Sequence, residues 1–416
     1  MIFLYTFINL FVLLIGKDRF KYWLNPLTVY CVVWQIALTL HQSGLMRFNE
    51  LRPLTWIVII FSELIFAFAC VVGASSVRRK YVSRNYDQDS LKSQLKKYIW
   101  ISLAIGGITI IINFMVIIRQ YGIFLIAATT DIYHDRLEGD IDYESIPYIG
   151  SLINVALPLL AIYTKKYGFS LALLIGVVLT VMNSLTGGAR AGLVFSMLIF
   201  GFAYLMADSN NIKKKGKKSY KRNILIVLVA GVFVALLSAI TDARNAGTDM
   251  SYATPKYYAT FGDNETFYGV VKYVSAPTGV LNEFLKNPDF QFGKNTFLPV
   301  YNFAAKLGLM ERMDNYQSWY NTPAPCNVGT WLRELIEDFS FIGGIIAVFL
   351  FGFFVSRSYI VARRSNDFAN KISCSILLMI IALSMFDWKL RTFGLWIAIG
   401  CGYYIGKLIE KNTVHG

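Results

Sequence analysis

Apolar runs of near-spanning length alternate with short charged stretches along the whole chain. They fall at roughly 1–16, 26–46, 54–73, 98–118, 147–164, 168–185, 191–207, 223–241, 340–356, 370–386 and 392–408. A run of about 20 apolar residues is what a helix needs to cross a bilayer. Helices are the expected form because lipid offers no partner to an unpaired backbone group. The pattern predicts an all-α, polytopic integral membrane protein with about eleven transmembrane helices, a single transmembrane domain over 1–416. Two polar interruptions stand out, a long loop at 242–338 and a smaller one at 119–146. The first sixteen residues have neither a basic leader nor a small-residue cleavage site, so they read as a retained span.

Lysine and arginine orient these spans. The loops after the first, third, fifth, seventh and ninth runs, with the C-terminal tail, hold 25 basic residues, among them Lys17, Arg19, Lys21 and the clusters Arg78–Lys97, Lys213–Arg222 and Arg357–Lys371. The short loops on the other side hold 7: Arg47, Arg52, Arg119, Arg136, Arg190, Lys389 and Arg391. Basic residues collect on the cytoplasmic side of membrane proteins. The asymmetry therefore puts the N-terminus outside, the C-terminus in the cytoplasm, and both 119–146 and 242–338 outside. The apolar stretch at 121–129 is too short to cross and is expected at the outer interface.

Composition agrees with this picture. The chain is 55% hydrophobic and 16% charged, against roughly 25% charged residues in a soluble domain. The net charge of +14 lies in the inter-span clusters, which makes it topological and argues against nucleic acid as a partner. Five scattered cysteines form neither a disulfide framework nor a CxxC pair. The sequence contains no Walker A loop, no GxGxxG, no HExxH and no GxSxG, so the reading expects no cofactor and no metal.

Candidate chemistry collects on the outward side. Arg190 follows the tight TGGAR turn at 186–190 and stands at the outer edge of a span, as does Arg244 in TDARNAG at 241–247. An arginine fork matches a phosphate bidentately, so a polyprenyl pyrophosphate head group is a natural partner; a snorkelling or salt-bridged arginine is the plainer reading. The run TWLRELIEDFSFIGG at 330–344 is the most informative. If helical, it sets Arg333 and Glu337 on one face and Glu334 and Asp338 on the next. Carboxylates just before a span are costly unless they face water, and a positioned one can take the proton from an attacking sugar hydroxyl. Glu337 and Asp338 are both open for that role.

Glu334, Asn327, Trp331, Tyr273, Tyr320 and His134 are candidate substrate contacts. The loop's many tyrosines and tryptophans, Tyr316 among them, suit sugar faces, and interfacial belts explain them as well. Glu63 lies within the third run, and an ionisable group there is a functional candidate beside a plain helix–helix hydrogen bond.

These residues bring a resemblance into view. TGGARAG at 186–192, YVSAPTGVLNEFLKNPDFQFGKNTF at 273–297 and NVGTWLRELIEDFSFIGGIIAVFLFG at 327–352, together with the span layout, resemble the oligosaccharide repeat-unit polymerases, the Wzy-type O-antigen and capsule polymerases. Arginine–glycine pairs of spacing R-x10-G are described for some of these, with the arginine as the functional residue. The spacing occurs at Arg190–Gly201, Arg333–Gly344 and Arg391–Gly402, and the resemblance carries that role to Arg190 and Arg333. The family more often has twelve or more spans and a cytoplasmic N-terminus, from which this chain departs.

The resemblance implies a metal-independent glycosyltransferase on the outer face of the bacterial cytoplasmic (inner) membrane. It would move polymer from one undecaprenyl pyrophosphate to a new lipid-linked repeat, and the reading of the residues places Arg190, Arg244 and Arg333 on the leaving group. The partners implied are the undecaprenyl-pyrophosphate-linked oligosaccharide, membrane lipid, a chain-length regulator and a flippase. Rival readings are a lipid-linked oligosaccharide flippase or other transporter, a ligase-type glycosyltransferase, and a structural assembly partner. A transporter is expected to show internal repeats and broken helices, which the sequence does not display.

Overall fold

A computed structural model describes residues 1–77, 84–138, 140–141, 143, 149–188, 190–207, 249–311, 313 and 317–413. The expected span at 223–241, Arg244, Tyr316 and the clusters Lys213–Arg222 and Arg78–Lys80 lie outside the described residues.

The described chain is almost wholly helical: α1 Ile2–Phe20, α2 Pro26–Gln42, α3 Pro53–Ser75, α4 Gln88–Tyr121, α5 Thr129–Glu138, α6 Ile153–Tyr167, α7 Leu171–Thr186, α8 Arg190–Met206, α9 Pro255–Phe261, α10 Glu265–Phe284, α11 Leu298–Lys306, α12 Trp331–Arg364, α13 Phe368–Ala382 and α14 Phe393–Lys411. One two-stranded hairpin pairs β1, Tyr320–Asn321, with β2, Pro325–Cys326. Helix starts follow local chemistry. Asn25, Asp87, Thr254 and Asn264 each accept an N–H from the first turn that follows, satisfying one of the donors a helix start leaves open. Pro26, Pro53 and Pro255 sit where a missing N–H costs nothing.

Three described helices, α3, α4 and α12, are long and apolar enough to cross a membrane. The apolar helices α7, α13 and Ala191–Met206 within α8 are shorter. The count of eleven full spans is therefore not carried by helix length. Helices of 15–17 residues such as α2, α6, α7 and α13 rise about 22–26 Å, less than the ~30 Å of a bilayer's hydrocarbon. Hydropathy windows had run on into flanking apolar turns. The polarity of α1 is that of a lipid-facing helix: Phe3, Phe7, Phe11 and Leu14 are exposed, while Tyr5, Asn9, Val12, Gly16 and Phe20 share the buried face.

The chain divides into two compact units. The first comprises Met1–Arg79, Gly247–Ile360 and Ile380–Phe393; the second comprises Lys80–Ala246, Val361–Met379 and Gly394–Gly416. In the first unit α2 packs on α1, α3 and α10. The described part of the stretch expected as a long loop is thus folded, and α10 buries Tyr268, Val271, Ala276 and Val280. Helix α12 begins nine residues before the apolar window that predicted it, and it is broken at Ser340, where φ is 64°. A left-handed serine costs of order 1–3 kcal/mol and persists only where its surroundings fix it. This break corrects the expectation of unbroken helices.

In the second unit α4 packs on α6 and α7, and α6 on α8. A cluster of four charges, Arg84, Asp367, Lys407 and Glu410, joins distant parts of its chain. The Asp367 carboxylate meets Arg84 Nη1 at 3.1 Å and Lys407 Nζ at 2.9 Å, and Glu410 pairs with the same two cations. Glu410 also accepts the Phe368 N–H at 2.7 Å, closing the start of α13. Burial pushes the Asp367 carboxyl up, but hydrogen bonds from Lys407 and Asn370 outweigh it and hold it below the ordinary carboxylate range. A lowered folded pKa adds stability above the unfolded value, and that stability is lost as pH falls through the folded one. Asp367→Asn is therefore expected to lower thermal stability at pH 7. The loss should be about 2 kcal/mol, below the usual cost of opening a buried pair because Arg84 and Lys407 are each about a third exposed. The gap to wild type should close below about pH 4. Melting followed by tryptophan fluorescence across pH 3–7 checks this; a gap that stays constant with pH would rule the carboxylate out as its source.

Candidate functional site

The polar centre of the first unit is built on the opening turns of α12. Its sequence, WLRELIEDF, alternates apolar and charged positions so that the helix buries Trp331, Leu332, Leu335 and Ile336 while also burying Arg333, Glu334, Glu337 and Asp338. Burial of four charged side chains in two turns is expensive unless each is compensated. Their compensation differs, and the differences sort their roles.

Asp338 is fully engaged. Its Oδ1 accepts from the Asn295 backbone N–H at 2.7 Å and from Asn295 Nδ2 at 3.1 Å, and its Oδ2 accepts from the Thr296 N–H at 2.7 Å and the Thr296 hydroxyl at 2.6 Å. Four donors fill the lone-pair sites of a carboxylate. The backbone carbonyls of Glu337 and Asp338 in turn accept from Gln291 and Gly293. Thr296 is itself held by Trp388 Nε1 at 2.9 Å. Asp338 thus fastens the 291–297 turn to α12.

Glu337 is less occupied. Its Oε2 accepts from Asn295 Nδ2 at 3.0 Å and lies 3.8 Å from Arg333 Nη2, the i, i+4 pairing that the sequence implied. Arg333 is completely buried. Its Nη1 makes two long contacts, 3.4 Å to Gln317 Oε1 and 3.3 Å to the Asn327 carbonyl. Nε and Nη2 donate no hydrogen bond among the described residues. The guanidinium lies over the Tyr320 ring at 5.2 Å and faces the Phe284 ring at 5.9 Å. Glu334 is also completely buried, and among the described residues neither of its oxygens accepts a hydrogen bond; Arg391 Nη1 lies 3.8 Å away. The Nε2 of Gln317 has no hydrogen-bond partner among the described residues either. Native interiors rarely leave such groups unsatisfied. Their concentration around the opening turns of α12 makes this the candidate site.

The other predicted residues are placed as follows. Tyr320 stands on the hairpin beside Arg333, and Asn327 contributes its carbonyl. Burial pushes the Tyr320 phenol up, against the lowering effect of Arg333. Trp331 is not free for a sugar face: it is walled in by Tyr30, Phe66, Phe351 and Trp388 at ring distances of 5.5–5.8 Å. Tyr273 is exposed on α10 and stacks on Phe386 at 5.3 Å. His134 is exposed on α5, in the second unit, edge-on to Tyr133. Arg190 opens α8 in the second unit. There α5 closes on the TGGAR turn: a Cβ at Gly188 would come within 2.6 Å of the Thr129 carbonyl, and one at Gly187 within 3.0 Å of Arg136 Nη1. Arg244 lies outside the described residues. Glu63 is wholly buried on α3 beside Cys31, whose thiol is 3.5 Å from its Oε1.

Gln317, Asn295, Thr296, Asp387 and Lys389 join the site without having been singled out, as does Arg391, noted in the sequence only for its spacing to Gly402. Asp387, Lys389 and Arg391 stand between two apolar runs of the sequence, as Arg190 does, so the placement that drew attention to Arg190 applies equally to them. A separate cavity of about 180 Å³ lies between α3 and α12, lined by Leu54, Ile57, Phe61, Leu332, Ile336 and Phe341. It is apolar and borders the neighbouring face of the helix that carries Arg333 and Glu337. Among the described residues no group of three or more metal-ligating side chains converges. Compared with protein-family models, with curated proteins and with solved structures, the chain matches none.

Proposed function

We propose that the chain is a membrane glycosyltransferase that polymerises undecaprenyl-pyrophosphate-linked oligosaccharide repeats into O-antigen or capsular polysaccharide. In this reading it works on the outer face of the bacterial inner membrane, with the eleven-span topology of the hydropathy pattern. The observation that carries the reading is Arg333, a fully buried guanidinium with two nitrogens that make no hydrogen bond among the described residues, set beside a carboxylate. A buried cation with open donors calls for an anion, and a diphosphate offers several oxygens to a planar fork. The apolar cavity between α3 and α12 gives a prenyl chain a place next to the same helix.

The acceptor hydroxyl attacks the anomeric carbon of the growing polymer, and the carbon–oxygen bond to pyrophosphate breaks. Glu337 takes the hydroxyl proton, and Arg333 neutralises the polyprenyl pyrophosphate as it departs. Arg190 joins the leaving-group role on the strength of the family resemblance, and Arg244 on its position in the TDARNAG stretch of the sequence. A chain-length regulator and a flippase are partners on the same ground.

The test is purified protein in vesicles with a lipid-linked repeat and no nucleotide, products resolved by gel. A ladder of increasing repeats is expected. A single capped acceptor identifies a ligase. The break in α12 at Ser340 favours a transporter as the second reading, and movement of the lipid-linked sugar across the bilayer without elongation would establish it.

A further inference from the structure

The geometry points to a membrane-surface anchor at 290–309, in which the apolar side of α11 lies in the interfacial lipid of the bilayer. This inference is independent of the glycosyltransferase reading. Phe297, Val300, Phe303 and Leu307 recur at helical spacing along α11 and are all exposed, while Leu298 faces inward. Phe292, 79% exposed, and Leu309, 75% exposed, extend the same apolar surface beyond both ends of the helix. A contiguous apolar patch of this kind marks a membrane or partner contact.

Its surroundings select lipid. Beyond the break at Ser340, α12 exposes Ile342, Ile346, Leu350 and Phe354, every fourth residue, as a stripe along a helix long and apolar enough to span. The patch is continuous with the root of that stripe. Phe297 meets Phe339 edge-on at 6.1 Å, and Phe290 meets Phe341 at 6.4 Å. A short helix joined to the end of a spanning one, with its apolar side turned outward, has the character of an interfacial helix.

The backbone supports the placement. Phe292 adopts φ 41°, a left-handed conformation that a bulky residue rarely takes. It is held there by Gln291 N–H to the Glu337 carbonyl at 2.7 Å, Gly293 N–H to the Asp338 carbonyl at 2.9 Å, and the Tyr301 hydroxyl to the Phe292 carbonyl at 2.9 Å. The turn that projects Phe292 outward is the turn whose Asn295 and Thr296 fix Asp338 and Glu337. Lipid contact and placement of the site carboxylates thus belong to one hydrogen-bonded piece.

The test uses the full chain in vesicles of phosphatidylcholine and phosphatidylglycerol. Nitroxide labels are placed at Val300→Cys and Phe303→Cys, with Ile346→Cys as the lipid reference and Asp263→Cys as the aqueous one. Signal from the native cysteines is subtracted using the unsubstituted protein. Both test positions should favour collision with oxygen over a water-soluble nickel chelate several-fold more than Asp263→Cys does. Their ratio should approach that of Ile346→Cys, as expected for an apolar face sunk ~5–10 Å below the headgroup boundary. Nickel collision equal to that at Asp263→Cys would overturn the proposal. So would shielding from both reagents, which would place a second copy or another protein over the patch.

Discussion

Alanine in place of Arg333 is expected to lower the initial rate of repeat addition by about 10²–10³-fold, the usual loss when one preorganised group that stabilises departing charge is removed. Lysine should recover only part of that rate. It keeps the charge but not the planar fork, and its ammonium cannot present two parallel donors to a diphosphate. The two variants separate a leaving-group role from a packing one. Arg333 lies over Tyr320 and faces Phe284, so an arginine that only packs would cost stability in both variants and leave the rate of the folded protein near wild type. Rates of ladder formation, normalised to protein that retains the native melting transition, distinguish these results. Wild-type rates in Arg333→Ala would remove Arg333 from the chemistry.

What the sequence revealed and what it withheld divide along contact range. The helical pairing of Arg333 with Glu337 was legible because it is local: residues four apart on a helix are neighbours. Helix starts at Asn25, Asp87 and Thr254 were equally local. The hold on Asp338 was not legible, because Asn295 and Thr296 lie 42–43 residues away in sequence. Arg391 approaches Glu334 from beyond the end of α12 and the whole of α13. Periodicity carries no information on such pairs. The stretch 242–338 was read as a loop because its polar residues interrupt the hydropathy. Polar residues such as Asn282 are nevertheless buried on α10, where Asn282 Oδ1 accepts from the Arg52 N–H at 2.8 Å and the Thr55 hydroxyl at 2.7 Å. Trp331 is a candidate for sugar stacking in the sequence, whereas Phe351 from its own helix and aromatic neighbours from three other stretches of chain surround it. The exposed apolar faces of α1 and α12 follow the opposite rule from a soluble protein, and that much was visible in the composition.

Glu337→Gln is expected to lower the rate by about 10²–10⁴-fold, the range for a general base, with little change in melting temperature. The amide retains the shape of the carboxylate and can still accept from Asn295 Nδ2, but it cannot take up the acceptor's proton. Asp338→Asn should behave in the opposite sense. Its carboxylate already accepts four hydrogen bonds, and an amide replaces one acceptor oxygen with a donor facing the Asn295 or Thr296 donors. Repulsion there should loosen the 291–297 turn and lower the melting temperature, with activity falling only as the folded fraction falls. Glu334 is the control that gives the comparison force: it shares the burial and the helix but accepts no hydrogen bond among the described residues. If Glu334→Gln loses the rate and Glu337→Gln keeps it, the base is Glu334 and the ligand enters from the Arg391 side. If Asp338→Asn alone loses the rate at unchanged stability, the clamp itself is the catalytic group, and the distinction drawn from its four donors is wrong.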